Sequence, residues 1–152
     1  MTDISFRDAT RADVPEIVRM LADDALGGQR ERYEDPLPAA YYDAFAALTA
    51  QAGNRIVLAE MAGRVVGCAQ LVFLPGLSLV GMKRAQIEGV RVDSSTRGHG
   101  IGEKLVRHCL VLAKQEGCGV MQLTTDKSRA DAHRFYERLG FVGSHLGMKL
   151  KL

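Results

Sequence analysis

The six residues Arg97-Gly98-His99-Gly100-Ile101-Gly102 stand between a strand-like run, Ile87 to Val92, and a helix-like run, Ile101 to Leu112. A strand that turns through glycines into a helix belongs to α/β architectures. It also has a chemical consequence. The first N–H groups of a helix have no internal partner, and the helix dipole adds partial positive charge at the same end. Such a turn seats an anion, above all a phosphate or pyrophosphate. Arg97 adds a full positive charge at its mouth.

Spacing separates the loops that could do this. A P-loop needs Lys and a hydroxyl residue after its last glycine. Here Glu103-Lys104 follow Gly102. A Rossmann turn needs G-x-G-x-x-G. Gly98 and Gly100 fit, but the third position is Glu103, which repels a pyrophosphate. Arg-x-x-Gly-x-Gly is satisfied, by Arg97, Gly100 and Gly102. Downstream, Ala132-His133-Arg134-Phe135-Tyr136-Glu137-Arg138-Leu139-Gly140-Phe141 reads A-x-x-F-Y-x-x-x-G-F. The two segments, in this order, resemble the pyrophosphate loop and a second motif of the GNAT superfamily of acyl-CoA-dependent N-acyltransferases. The resemblance covers roughly residues 54 to 142 well, and the ends more loosely.

That resemblance implies a GNAT-like α/β fold: a mixed twisted sheet, splayed at the central strands, with helices on both faces and the acyl-CoA arm in the splay. It implies one N-acetyltransferase domain over 1–152, with acetyl-CoA as donor and a small-molecule or peptide amine as acceptor. Val90, Arg91 and Val92 would run beside the pantetheine arm, with an N–H near Val90 facing the thioester oxygen. Arg97, Gly98, His99, Gly100, Ile101 and Gly102, with Glu103 just beyond, would hold the pyrophosphate. Arg129 stands where many family members carry an Asn that contacts the arm. Arg cannot reproduce an amide's paired donor and acceptor, so it would reach a phosphate or cap the helix instead.

Acetyl transfer needs an amine stripped of a proton, a polarised carbonyl and a protonated leaving thiolate. Glu88, on the central strand, is the candidate base. Alternation puts Glu88, Val90 and Val92 on one face. Its neighbours Ile87, Gly89 and Val90 suggest partial desolvation. The competing account makes Glu88 a structural partner of Arg84 or Arg91. Tyr136 is the candidate acid, since a phenol near pKa ~10 can donate to a thiolate. The plainer account of Tyr136 is packing on the sheet. A different class also fits, a non-catalytic acyl-CoA-binding sensor or subunit.

Composition excludes more than it proposes. The chain has 152 residues, net charge +2 and 47% hydrophobic residues, so nothing broad attracts nucleic acid or a membrane surface. The polar start MTDISFRDAT lacks the apolar core of a signal peptide. The three cysteines, Cys68, Cys109 and Cys118, have no metal spacing, and their apolar settings suit a reducing, cytoplasmic location with no metal.

Periodicity predicts the elements. Ile4 to Arg7 is a short strand. Thr10-x-x-Asp13 reads as a capping box before a helix carrying Val14, Ile17, Val18, Leu21 and Ala25, stopped by Gly27-Gly28. Gln29 to Pro38 is a charged loop or short irregular segment, and a second helix runs from about Pro38 to Thr49. Arg55 to Glu60 and Arg64 to Phe73 form a hairpin at Ala62-Gly63. Leu74 to Lys83 is an apolar loop suited to a binding surface or a homodimer contact. Gln86 to Val92 is the central strand. Gly100 to Gln115 is a helix with Ile101, Leu105, Cys109 and Leu112 on one face. Val120 to Thr124 is a buried strand. Ser128-x-x-Asp131 opens a last helix closed by Gly140, and Phe141 to Ser144 and Met148 to Leu152 are terminal strands.

Overall fold

The computed structural model describes residues 3–152. They form two compact units, the first ending at Gln122 and the second spanning Leu123–Leu152. In the first unit, β1 (Ile4–Asp8) leads through a 3₁₀ turn, Arg11–Asp13, into α1 (Val14–Ala22). A single turn, α2 (Gly27–Arg30), and a longer helix, α3 (Ala39–Ala50), follow. The hairpin β2 (Asn54–Met61) and β3 (Arg64–Leu74) comes next, then one turn, α4 (Ser78–Gly81). β4 (Arg84–Val92), a 3₁₀ turn at Ser94–Thr96, α5 (Ile101–Gln115) and β5 (Val120–Gln122) complete the unit.

The strands form one mixed sheet in the order β1-β2-β3-β4-β5. All neighbours are antiparallel except β4 and β5, which run parallel. That parallel pair is short. It joins Arg84, Ala85 and Gln86 to Val120, Met121 and Gln122 and stops. β4 continues to Val92 with β3 on one side and no paired strand on the other among the described residues. The splay is this opening.

The helices cover both faces. On one, Ile17 and Met20 of α1 pack on Leu58 and Cys68, while Val14 and Val18 meet Phe45 of α3. On the other, α5 lays down Ile101, Leu105, Val106, Cys109 and Ala113, all buried. Gly67 lets α5 come close, since a Cβ there would lie 3.2 Å from the Arg91 carbonyl and 3.4 Å from Leu105 Cδ2. Burial on this scale is worth about 1.5–3 kcal/mol for each large aliphatic side chain.

Four expectations are corrected. α1 ends at Ala22, and Ala25 lies outside it, because the Asp24 carboxylate takes the Gly27 N–H and starts a new turn. β5 is shorter than Val120 to Thr124, and Val120 is exposed, since only three residues find a ladder on β4. The 74–83 segment is not all loop: α4 interrupts it, with Leu79 and Val80 at positive φ. Its apolar side chains Leu77, Leu79 and Val80 are exposed. In the second unit α6 (Ala130–Arg138) is present, but the described residues beyond it form no strand. The alternation of Leu146, Met148, Leu150 and Leu152 finds no ladder to pair with, and all four are exposed. Alternation alone does not make a strand without a partner.

Two carboxylates tie α1 to the sheet and to the loop that follows β4. Asp13 accepts from Arg7 at 2.8 and 2.9 Å and from the Thr10 N–H at 2.7 Å. The Arg7 bond, more than any other contact, holds its carboxyl down at about 2. Asp93, buried, accepts from the Ser95 hydroxyl at 2.6 Å and N–H at 2.9 Å, and from Arg19. Ser95 first and Arg19 second hold it at about 2. Both groups are lowered from their unfolded value near ~4, so their stabilisation is complete above that value and disappears as pH falls toward ~2. Urea unfolding should therefore show stability falling between about pH 4 and 2. Asp93→Asn should lower stability at pH 7 by about 1.5–3 kcal/mol and flatten that fall.

Candidate active site

Glycine at position 89 shapes the open stretch of β4. In the β3–β4 register Cys68 faces Arg91 and Gln70 faces Glu88, so Gly89 and Val90 together oppose Ala69. This is a bulge with Gly89 at φ +58°, the left-handed region that glycine enters at little cost. The bulge breaks the expected alternation. Glu88 and Arg91 share a face, with Gln70 and Cys68 as their cross-strand neighbours, and Val92 pairs with Gly67 on the other. A glycine inside a strand was the available sign of this.

Glu88 is exposed, so the desolvation expected from its neighbours is absent. Its carboxylate does not pair with Arg84 or Arg91 either. Gln86 Nε2 donates to Glu88 Oε1 at 2.5 Å. Gln122 Nε2 donates to Gln86 Oε1 at 2.9 Å, and Arg84 Nη1 reaches Gln122 Oε1 at 3.5 Å. Three donors thus point one way along the row, toward Glu88. Arg91 turns instead toward the segment after α1, with Nε 3.4 Å from Asp24 Oδ2 and Nη1 donating to the Val90 carbonyl at 2.9 Å.

After Val92 the chain is pinned before it is free. The Asp93 N–H donates to Val66 O at 2.9 Å, and the Thr96 hydroxyl to Asp93 O at 3.0 Å. Arg97 Nη2 donates to the Asp23 carbonyl at 3.3 Å. His99 Nδ1 lies 3.0 Å from the Thr96 carbonyl, so its ring folds back on the loop. Gly98 and Gly100 have φ +86° and +71°, with nothing within 4 Å of where a Cβ would sit. Ile101, 1% exposed, plugs the start of α5 into the core. Gly102 follows it in the first turn, and the Glu103 carboxylate is taken by Arg107 Nε at 2.8 Å. The result is an exposed, open turn at a helix N-terminus on a fixed base. A helix N-terminus of this shape suits an anion.

Tyr136 sits on α6, half-buried, edge-on to Phe135 at 5.0 Å and to Phe141 at 5.6 Å between ring centroids. Gly140, at φ +95°, turns the chain after the helix, and the Phe141 N–H bonds back to the Tyr136 carbonyl at 3.1 Å. That return is what the spacing of Tyr136, Gly140 and Phe141 encodes. The opening of α6 differs from expectation. Ser128 bonds to Asp126 Oδ1 through its N–H at 3.0 Å and its hydroxyl at 2.7 Å, and Arg129 is the residue at the N-cap. Asp126 captures Ser128 locally because an Asx turn closes over two residues, fewer than a capping box spans.

A sheet opened beside a bulged strand, followed by a glycine turn at a helix N-terminus, is the arrangement that the resemblance to acyl-CoA-dependent acyltransferases implies. The sequence profile of the Acetyltransferase (GNAT) family matches residues 17–141. A crystal structure of a transcriptional regulator from Bacillus halodurans C-125 is 47% identical, covering 99% of this chain and 100% of that one, with TM-score 0.95. Glucosamine 6-phosphate N-acetyltransferase from Trypanosoma brucei brucei is 31% identical over 65% of this chain and 65% of its own. L-methionine sulfoximine/L-methionine sulfone acetyltransferase from Pseudomonas aeruginosa is 30% identical over 90% of this chain and 79% of its own. The chain belongs to the GNAT family, whose members move an acetyl group from acetyl-CoA to an amine.

Calorimetric titration with acetyl-CoA should show micromolar binding. Gly100→Glu, which sets a carboxylate in the turn and a side chain at positive φ, should abolish that binding while the protein stays folded by circular dichroism.

Proposed function

We propose that the protein is an acetyl-CoA-dependent N-acetyltransferase that acts as one domain and moves the acetyl group to a primary amine by direct attack. The family match runs through both compact units, which supports a single working domain. The observation that supports direct attack is the burial of Cys68 and Cys109, which presents neither thiol to a thioester. Burial pushes Cys68 and Cys109 up to about 12, and Cys118 is also raised by burial. A thiolate, not a thiol, is the nucleophile. No cysteine among the described residues is therefore primed to carry the acetyl group between donor and acceptor.

In this mechanism the turn from Arg97 to Glu103 binds the pyrophosphate through its N–H groups. The open edge of β4 at Val90, Arg91 and Val92 hydrogen-bonds the pantetheine amides. An N–H beside the bulge polarises the thioester carbonyl as negative charge develops on its oxygen. Glu88 accepts the proton of the ammonium, directly or through a water, with its carboxylate oriented by Gln86. The neutral amine attacks the carbonyl carbon, the C–S bond breaks, and the Tyr136 hydroxyl protonates the departing thiolate. Arg129 contributes through the CoA phosphates. No metal has a step in this scheme. No described helix is long and apolar enough to cross a membrane, and we place the enzyme in the cytoplasm.

A second reading has one observation behind it. The Bacillus halodurans relative is described as a transcriptional regulator. A sensor of that kind would bind acetyl-CoA and cleave no thioester with any amine. CoA release with mass-spectrometric detection of the acetylated amine separates the two readings. Transfer is expected, and Glu88→Gln and Tyr136→Phe should each lower kcat by ~10²–10⁴-fold with acetyl-CoA binding retained. Unchanged turnover in either variant removes that residue from its role.

A further inference from the structure

An apolar cavity of about 160 Å³ lies between α1, α3 and the sheet, and the GNAT sequence motifs do not touch it. Its walls include Val18, Leu21, Phe45, Leu48 and Ile56, and its one polar side chain is Gln70. No charged side chain lines it. Tyr41 contributes its ring, because its hydroxyl is engaged outward, accepting from the Arg32 N–H at 2.9 Å.

Two contacts join the cavity to the open stretch of β4. Gln70 is the cross-strand partner of Glu88, so the two side chains leave the sheet side by side on the same face. Leu21 Cδ2 lies 3.6 Å from where a Cβ on Gly89 would be, so it touches the bulge itself. An amine delivered to Glu88 therefore has its substituent at the mouth of this cavity.

We propose that this cavity is the side-chain pocket of the acceptor, and that the acceptor is a primary amine bearing a compact, uncharged, apolar group on the neighbouring carbon. The inference rests on the acetyltransferase reading and adds the substrate class. The volume sets the size, since an apolar cavity of about 150 Å³ holds a benzene ring. The lining sets the chemistry. A phosphate, a carboxylate or a second ammonium placed here would lose its water and gain no partner of opposite charge. Gln70 donates its Nε2 to Asn54 Oδ1 at 3.0 Å, which leaves its carbonyl oxygen as the polar group offered at the mouth.

A series of α-amides tests this, because their amines differ little in basicity and only the side chain varies. CoA release is measured with glycinamide, leucinamide, phenylalaninamide, argininamide and the α-amide of glutamic acid. Leucinamide and phenylalaninamide should exceed glycinamide in kcat/KM by ~10-fold or more, and the two charged amides should not. Ala44, exposed on α3 and part of the lining, can be enlarged without disturbing the core. Ala44→Phe should bring the leucinamide-to-glycinamide ratio toward one, and Ala44→Leu should move it the same way by less. Equal rates across the series, or a ratio that Ala44→Phe leaves unchanged, overturn the pocket. If no amide releases CoA, calorimetry of leucinamide against the CoA-saturated protein decides. Binding that Ala44→Phe weakens supports the pocket and faults only the transferase reading, whereas no binding overturns the pocket.

Discussion

Everything at the candidate site depends on β4 running on after its pairing with β5 has ended. The parallel ladder stops at Gln86, while β4 remains bonded to β3 out to Val92. Backbone groups seek partners, and in the proposed mechanism the pantetheine amides are the partners of this free edge. The bulge at Gly89 falls inside that stretch. It swings Glu88 and Arg91 to one face and sets Gly89 and Val90 together against Ala69, which a regular strand would not do. Only glycine enters the required φ of +58° without cost.

The second requirement is a rigid base for a loop that must itself stay open. Asp93, Thr96 and Ile101 are all buried, and they bracket the exposed residues from Arg97 to Gly100. Arg19 reaches Asp93 from α1, and Arg97 reaches the carbonyl of Asp23 at the end of the same helix. The helix that walls the apolar cavity is therefore also the helix that braces the anion loop.

Much of this was legible in the sequence. Glycines 98, 100 and 102 between a strand and a helix indicated the open turn at the start of α5 because few local conformations satisfy that pattern. The stripe of Val14, Ile17 and Val18, and that of Ile101, Leu105 and Cys109, gave the two buried helix faces, since period and burial are linked. The bulge was not legible in detail. Alternation assumes an unbroken strand, and which residue of Glu88-Gly89-Val90 is extra depends on the partner strand. The row from Arg84 through Gln122 and Gln86 to Glu88 depends on a parallel pairing between distant segments. The cavity depends on how α1 and α3 lie over Gln70, which no local pattern records. The last twelve residues misled in the opposite direction, because their alternation is real and a partner strand is what a ladder also needs.

Hydrogen exchange with and without CoA tests the central claim most directly. If the free edge of β4 and the glycine turn hold the donor, CoA should slow exchange at the amides of Val90 to Val92 and of Gly98 to Glu103 together. The β1–β2 side of the sheet should be unaffected. Protection confined to the glycine turn, or appearing elsewhere with both segments unchanged, would contradict the account.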